Sequence, residues 1–202
     1  MKKKECIIFG STGVLSKSVI ELFYEKGFFI YGVSKKSKQS LKINNYSHIF
    51  FNIKRKLSKK IKNIILSKNL KFIVFILSKK EINKNIEHDT NLLLDYHLFF
   101  PIKIAEQVKN KKINLILINS DSFFKKKVNF AYSLSKLASA YFIRFSNDFF
   151  PNLKFFSIIM SRVNNKNLIK FKYLLNKIIK NHLKNKSQNF FLEKKKKYLK
   201  FN

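Results

Sequence analysis

The chain is predicted to form an α/β protein with a doubly wound parallel sheet, because short apolar runs alternate with longer helical patterns along most of its 202 residues. The runs are almost continuously apolar, as expected of strands that helices cover on both faces. No stretch rich in Pro, Gly and Ser divides the chain, and its length suits one domain with a substantial core. We assign residues 1–185 to this domain and residues 186–202 to a basic tail, in which 189–193 is the candidate for a final edge strand.

Six apolar runs are predicted to be strands: Cys6–Phe9, Phe28–Val33, His48–Ile53, Phe72–Leu77, Ile113–Asn119 and Phe155–Met160. Helical patterns occupy the intervening residues 14–26, 56–68, 84–109, 131–149 and 165–184. The apolar stripe of the first helix is formed by Val14, Leu15, Val19, Leu22 and Phe23. Gly27 follows that helix at the position where a left-handed cap is expected.

The formal net charge of +32 would ordinarily indicate binding to nucleic acid or to an anionic membrane surface. Only Arg55, Arg144 and Arg162 are arginine among the 43 basic residues, although phosphate and base recognition favours the arginine fork. The lysines are spread along the chain, and Asn, Ile and Phe are abundant with them while Gly and Pro are scarce. We therefore attribute the charge to the codon bias of an AT-rich genome. Selected binding to a polyanion is the alternative.

Cys6 is the only cysteine, which excludes an intrachain disulfide and fits a reducing compartment. It begins an apolar run and is predicted to be a buried thiol. That run is too short for a signal peptide, and no window approaches the roughly 18 apolar residues that a membrane span needs. The sequence predicts a soluble cytoplasmic protein.

Two of the four glycines, Gly10 and Gly13, lie directly after the first predicted strand and begin the first helix. Glycine permits a tight turn and lets a pyrophosphate approach the backbone N–H groups of a helix N-terminus. A plain strand-to-helix turn is the alternative interpretation. The position of the pair in the first β-α unit of a glycine-poor chain favours a phosphate-binding loop.

Tyr132 and Lys136 are four residues apart, a spacing that places a phenol and an ammonium side by side on a helix. A nearby positive charge lowers the pKa of a phenol, which makes it a better proton donor to a carbonyl. Lysine is so abundant that chance produces such pairs, and Tyr31/Lys35 and Tyr173/Lys177 share the spacing. The surrounding sequence must therefore separate the pair Tyr132/Lys136 from the other two.

Over roughly residues 5–162 the sequence resembles the short-chain dehydrogenase/reductase family. The segment Gly10-Ser11-Thr12-Gly13-Val14-Leu15-Ser16 is similar to the family's glycine-rich loop in its G-x-x-G-x-x-G form, with Ser16 replacing the last glycine. The resemblance implies a Rossmann-type fold and a nicotinamide dinucleotide held by residues 10–15. We expect Ser16 to tighten the packing of helix against strand and to weaken cofactor affinity.

The resemblance also assigns residues to the adenosine half of the cofactor. Ser34, Lys35 and Lys36 stand where family members bind the ribose, and the absence of an acidic residue there implies NADP, with NAD as the alternative. Because lysine is so abundant in the chain, chance explains the presence of Lys35 and Lys36 almost as well as binding of a 2′-phosphate does. Asn52, predicted to end the third strand, matches an adenine-contacting aspartate, and Ser78 stands in the segment where the family has Asn-Asn-Ala-Gly.

The resemblance supplies the context that the pair Tyr132/Lys136 needs. Residues 115–120 resemble the strand that delivers the family's serine, Ser120, and residues 132–136 resemble its Tyr-x-x-Ser-Lys helix. The implied roles are proton exchange with the substrate oxygen for Tyr132, lowering of the tyrosine pKa and binding of the nicotinamide ribose for Lys136, and polarisation of the carbonyl for Ser120. Ser122 is a weaker substitute for Ser120, and an ordinary strand-end serine beside a helical surface pair is the alternative interpretation.

Two further positions depart from the family pattern. His97 replaces the proton-relay asparagine; imidazole can also relay protons near neutral pH, and a merely packed or exposed histidine is the alternative. Ile158-Ile159-Met160-Ser161 replaces the Pro-Gly pair that shapes the nicotinamide pocket. These departures affect the catalytic assignment more than the fold.

The sequence is interpreted as that of an NADP-dependent short-chain reductase, with Ser120, Tyr132, Lys136 and His97 as catalytic residues. The alternatives are a catalytically degenerate dinucleotide-binding scaffold or sensor, and a basic nucleic-acid-associated protein. The substrate is expected to be a small carbonyl or alcohol, with acyl-thioester carbonyls and sugar or polyol carbons both open. By resemblance alone, a homodimer or homotetramer is expected, with no nucleic-acid or membrane partner.

Overall fold

The structure is a computed structural model that describes residues 3–36, 43–53, 55–77, 85–120, 129–160, 165–180 and 188–191. Strands and helices alternate along the described chain. The strands are β1 (Glu5–Phe9), β2 (Phe29–Ser34), β3 (Tyr46–Phe50), β4 (Leu70–Phe75), β5 (Ile113–Ser120), β6 (Leu153–Met160) and β7 (Gln188–Phe191). The helices are α1 (Val14–Glu25), α2 (Lys59–Ile65), α3 (Ile86–Leu94), α4 (Phe100–Val108), α5 (Phe130–Phe149) and α6 (Asn165–Lys180), with a π-helical segment at Asp95–Phe99.

Across the described residues the strands form one sheet in the order β3-β2-β1-β4-β5-β6-β7, and every neighbouring pair is parallel. The chain reverses its direction of winding between β1 and β4. In open α/β sheets, ligands bind outside the carboxyl ends of the strands at such a switch point. The predicted fold class is therefore confirmed, and the expected site lies beside the β1–α1 loop.

The core has two layers, one on each face of the sheet. One layer joins the strands to α2, α4 and α5, with the rings of Phe9, Phe75 and Phe100 in contact. The other joins the strands to α1 and α6. Central strands are consequently buried on both faces, which explains their nearly continuous apolar sequence.

Two predictions about single residues differ from the structure. The third strand is β3, Tyr46–Phe50, so Asn52 lies two residues beyond the strand instead of ending it. Val14 is 80% exposed and does not belong to the apolar stripe of α1, whose other four predicted members are buried. Val14 is the first residue of α1 and lies beside the loop, where no helix covers it.

The long helix predicted at 84–109 is divided by the π-helical segment. Phe100 N–H donates to the carbonyl of Asp95, five residues back. Pro101 follows, and a proline has no N–H to continue the α-helical pattern. His97 lies within this segment and is buried.

Other expectations are met. Gly27 adopts φ +75 after α1, as predicted for a left-handed cap, and Cys6 is a free, buried thiol whose pKa burial raises. The strand β7 falls in the segment assigned to the tail and pairs with β6. Among the helices that the structure describes, none is long and apolar enough to cross a membrane.

Candidate active site

The glycine-rich loop lies at the carboxyl end of β1. Gly10 has φ +86, and a Cβ atom at this position would collide with the carbonyl oxygen of Ile76. Its N–H donates to the carbonyl of Val33 at 2.8 Å, which ties the loop to β2. Both the conformation and the close approach of the neighbouring backbone require glycine.

Ser16 closes the loop from the inside. Its hydroxyl donates to the Gly10 carbonyl at 2.6 Å and accepts from the N–H of Gly13 at 3.2 Å. Ser16 is fully buried, so it fills the space that a glycine would leave between helix and strand. These two hydrogen bonds tie the start of α1 to the end of β1.

The remaining loop residues differ in exposure. Gly13 and Val14 face solvent, Thr12 is half-buried, and Ser11 is buried with no hydrogen-bond partner of ordinary geometry for its Oγ among the described residues. The Leu15 side chain packs in the core, which leaves only its backbone to face an anion. The exposed N-terminus of α1 suits a phosphate group.

The residues predicted to bind adenosine lie along the neighbouring strand ends. Ser34 ends β2 and is buried, whereas Lys35 and Lys36 are exposed directly after it. Asn52 is half-buried in the segment after β3. Ser78 lies outside the described residues.

Ser120 is the last residue of β5 and is half-buried. Its N–H donates to Oδ1 of Asn119 at 2.9 Å, and the Asn119 amide donates to the carbonyl of Lys136 at 3.0 Å. Asn119 therefore links the serine strand to the helix that carries Tyr132 and Lys136. Sequence reasoning missed this link, although a polar side chain inside an apolar run was a usable signal.

Helix α5 begins just before Tyr132, whose N–H donates to the cap side chain of Asn129 at 2.9 Å. Lys136, one turn later, is 4% exposed, and its Nζ donates to the carbonyl of Leu77 at 3.1 Å. The same Nζ lies 5.6 Å from the centroid of the Tyr132 ring. Desolvation lowers the Lys136 pKa to about 7.

His97 lies against the same pair. Its ring is perpendicular to that of Tyr132, with centroids 5.6 Å apart. Its Nδ1 is 2.8 Å from Ser135 Oγ, and that hydroxyl donates to the Tyr132 carbonyl at 2.9 Å. The Ser135 hydroxyl thus lies between Nδ1 and the Tyr132 carbonyl, and the donor in the Nδ1 contact depends on the tautomer of the ring.

The other nitrogen of His97 is Nε2. It is buried and has no partner of hydrogen-bond geometry within the described chain. The His97 pKa is well below its ordinary value because of burial and, secondarily, the nearby Lys136; the adjacent Leu77 carbonyl opposes this shift only in part. Burial and the lysine thus both favour the neutral form of the imidazole.

The two other Tyr/Lys pairs lack this environment. Lys35 and Lys177 are exposed, and Tyr173 is a surface residue of α6 on the opposite face of the sheet. Of the three pairs, only Tyr132/Lys136 combines a buried ammonium with a position at the carboxyl edge of the sheet.

No family model matches the sequence, and no curated protein sequence matches it either. Solved structures do match. An oxidoreductase of the short-chain dehydrogenase/reductase family from Brucella ovis, in complex with partially ordered NAD, is similar at a TM-score of 0.75 and 13% identity, covering 95% of this chain and 100% of that one. An alternative dihydrofolate reductase from Brucella suis in complex with NADP has a TM-score of 0.75 at 16% identity, covering 94% and 93%.

A short-chain dehydrogenase family protein from Francisella tularensis has a TM-score of 0.71 at 16% identity, covering 94% of this chain and 97% of that one. The alignments span nearly the whole of each molecule. The resemblance seen in the sequence is thus confirmed at the level of the fold.

Proposed function

We propose that the protein is an NADP(H)-dependent reductase of small carbonyl compounds, working also in the direction of alcohol oxidation. The observation that carries this proposal is the buried ammonium of Lys136, 5.6 Å from the ring centroid of Tyr132, beside the strand end that bears Ser120. Burying a lysine away from water costs free energy, and such buried charged groups cluster at functional sites. Similar folds that hold NAD and NADP support the nucleotide class.

The residues at the sheet edge fit a dinucleotide. Gly10 lets the Ile76 backbone pack closely against the loop. Gly13 and the N-terminus of α1 are exposed and can face a phosphate. Lys35 and Lys36 suit a 2′-phosphate, which is the basis for NADP over NAD. In this assignment Asn52 contacts adenine and Ser78 lies along the cofactor.

A bound nicotinamide supplies or accepts the hydride. Tyr132 donates the proton to the substrate oxygen during reduction and recovers it in the reverse direction. The ammonium of Lys136 stabilises the phenolate that remains, and it also holds the nicotinamide ribose. Ser120 donates a hydrogen bond to the carbonyl oxygen as negative charge develops there.

His97 is proposed to return the proton to this pair. Its ring lies beside Lys136 and the Leu77 carbonyl, while Nδ1 contacts the Ser135 hydroxyl. A neutral imidazole can take up a proton at one nitrogen while the other keeps its hydrogen bond. This arrangement replaces the asparagine of the related pattern with a group that itself titrates.

Titration of the purified protein with NADPH and with NADH, followed by nucleotide fluorescence, tests the proposal. Both are expected to bind, NADPH more tightly. Activity is then assayed on acyl-thioester carbonyls and on sugar or polyol substrates, with Tyr132→Phe expected to reduce turnover at least about 100-fold, the lower range of general acid catalysis. Tyr173→Phe, which removes an exposed phenol on α6, is the matched control.

The possible outcomes separate the candidate functions. Failure to bind either nucleotide removes the proposal. Binding without turnover of any substrate indicates a dinucleotide-binding scaffold or sensor, and full activity in Tyr132→Phe removes the catalytic assignment. Salt-sensitive binding of duplex DNA in place of nucleotide would instead favour the nucleic-acid-associated alternative.

We also propose that the protein acts in the cytoplasm as a homodimer or homotetramer. The single buried thiol of Cys6 fits a reducing compartment. Helix α5 carries an exposed apolar stripe of Phe130, Tyr141, Phe145 and Phe149. Such a stripe on a helix supports packing against another copy.

A further inference from the structure

Two side chains of the edge strand β3 connect the glycine-rich loop to the turn after β2. Tyr46 and His48 are two residues apart and point to one face of the sheet. The register pairs Ile30 with Tyr46 and Gly32 with His48, and the Tyr46 phenol reaches along the face of the sheet to Gly32. This is the same face that α1 and the loop cover.

The Tyr46 phenol lies directly above Gly32. A Cβ atom on Gly32 would collide with the Tyr46 hydroxyl and ring. The backbone of Gly32 has no positive φ, so the glycine is required for space and not for conformation. In a chain with only four glycines, this position accommodates the phenol.

The hydrogen bonds of His48 have a defined direction in its neutral ring. Its Nε2 is 3.1 Å from the carbonyl oxygen of Lys36, which can only accept, so Nε2 carries the proton. Nδ1 is then an acceptor, and the Tyr46 hydroxyl donates to it at 3.2 Å. The Ser34 hydroxyl donates to the same Lys36 carbonyl at 3.0 Å.

At its other end this chain reaches the loop. The buried Oγ of Ser11 has no partner of ordinary hydrogen-bond geometry among the described residues. Its hydroxyl is nevertheless close enough to Tyr46 to oppose in part the rise that burial gives the tyrosine pKa. A continuous pair of hydrogen bonds thus runs from Tyr46 through His48 to the backbone of Lys36, and its Tyr46 end lies near Ser11 of the loop.

We propose that Tyr46 and His48 are positioning residues that fix the Ser34–Lys36 turn and thereby set the preference for a nucleotide bearing a 2′-phosphate. This inference rests on the proposed function. Exposed lysines contribute little to anion binding when they are free to move, because ordering them consumes the electrostatic gain. A turn whose carbonyl is already held by two donors presents Lys35 and Lys36 in one arrangement before the nucleotide arrives.

The test measures the dissociation constants of NADPH and NADH for the full-length protein and three variants. His48→Leu should raise the dissociation constant of NADPH about tenfold, because hydrogen bonds that serve a charged site are lost. It should raise the dissociation constant of NADH less than about twofold. Tyr46→Phe should shift the ratio in the same direction by a smaller factor. His48→Gln, whose amide can still donate to the Lys36 carbonyl, should keep most of the NADPH preference.

Tyr31→Phe is the matched control, because Tyr31 lies on β2 but packs against the opposite layer of the core. It should move neither constant. If His48→Leu and Tyr46→Phe weaken the binding of NADPH and NADH equally, the pair has only a structural role and the inference is overturned. A ratio of the two dissociation constants that stays unchanged in both variants would overturn it as well. If His48→Leu fails to fold, Tyr46→Phe decides alone; if the wild-type protein binds neither nucleotide, the proposed function falls and this inference with it.

Discussion

At the scale of the residue, the buried ammonium of Lys136 makes stability depend on pH. Its folded-state pKa of about 7 lies below the ordinary value of 10.5, because burial penalises the charged form. Between these values the unfolded chain binds a proton that the folded protein does not, so stability rises with pH across this window. Below about pH 7 both states are protonated, and the folded protein carries the full desolvation penalty.

Lys136→Met should remove this dependence. The free energy of unfolding of the wild-type protein is expected to rise by about 1.4 kcal/mol per pH unit relative to the variant, or about 2 kcal/mol from pH 7.5 to 9. Urea unfolding of both proteins across this range measures the difference. The unpaired Leu77 carbonyl left by the variant contributes equally at every pH and cancels.

Parallel pH profiles of the two proteins would show that Lys136 stays charged when folded. That result would contradict the lowered pKa and leave the hydrogen bond to Leu77 as an ion–dipole contact. Lys177→Met, an exposed lysine on α6, is the control and should not alter the slope.

Residue chemistry was predictable from the sequence only where neighbours along the chain define it. The spacing of Tyr132 and Lys136 and their order after Ser120 marked the candidate site. The contact of His97 with Ser135 was not predictable, because the two residues are 38 positions apart in the sequence. Tyr46 and His48 escaped notice for a related reason: their partners lie on a different strand and on the glycine-rich loop.

At the scale of the element, the glycines of α1 and its flanks have unequal roles. Gly10 combines φ +86 with a backbone contact that excludes a Cβ atom, whereas Gly27 has φ +75 and open space around it. Gly13 has extended geometry and only the Ser16 hydroxyl nearby. The cost of alanine should therefore fall in the order Gly10, Gly27, Gly13.

Thermal and urea unfolding of the three alanine variants measure this order. Gly27→Ala should cost about 1–2 kcal/mol, the strain of a left-handed L-residue, and Gly10→Ala distinctly more because the Ile76 backbone must move. Gly13→Ala should cost less than about 1 kcal/mol. Equal losses for Gly10→Ala and Gly27→Ala would show that the loop can yield around Ile76.

Element boundaries show where sequence patterns stop being sufficient. The apolar pattern located α5 and β5 to within a residue, because α5 has one buried face and β5 is buried on both faces. The π-helical segment has no periodic signature, since it adds one residue within a helical pattern that otherwise continues. Pro101 was the available signal, because it has no N–H to donate to the carbonyl four residues back, that of His97.

At the scale of the whole molecule, the order of elements was enough to predict a doubly wound parallel sheet. The order cannot give the distances among groups that different strands bring to one edge, because those depend on register and twist. Asn52 illustrates this point. The strand β3 ends at Phe50, so Asn52, predicted to contact adenine from the end of the strand, lies in the segment that follows it. Asn119 illustrates the opposite case, a residue within a predicted strand that links that strand to α5.

The exposed stripe on α5 leads to the last prediction. Tyr141, Phe145 and Phe149 are spaced four residues apart, so their rings lie along one side of the helix, and Phe149 is 71% exposed. Burying them against a second copy removes apolar surface from water and suits a two-fold interface. The protein should therefore sediment at more than its monomer mass of 24.1 kDa.

Phe145→Asp should shift this assembly toward the monomer, because each copy would place a carboxylate within the apolar contact. Tyr173→Asp is the matched control: Tyr173 is equally a surface aromatic, but it lies on α6 across the sheet and should leave the mass unchanged. Sedimentation at several micromolar concentrations, with circular dichroism to verify folding, distinguishes the two. A wild-type monomer, or an assembly that Tyr173→Asp dissociates and Phe145→Asp does not, would move the interface away from α5.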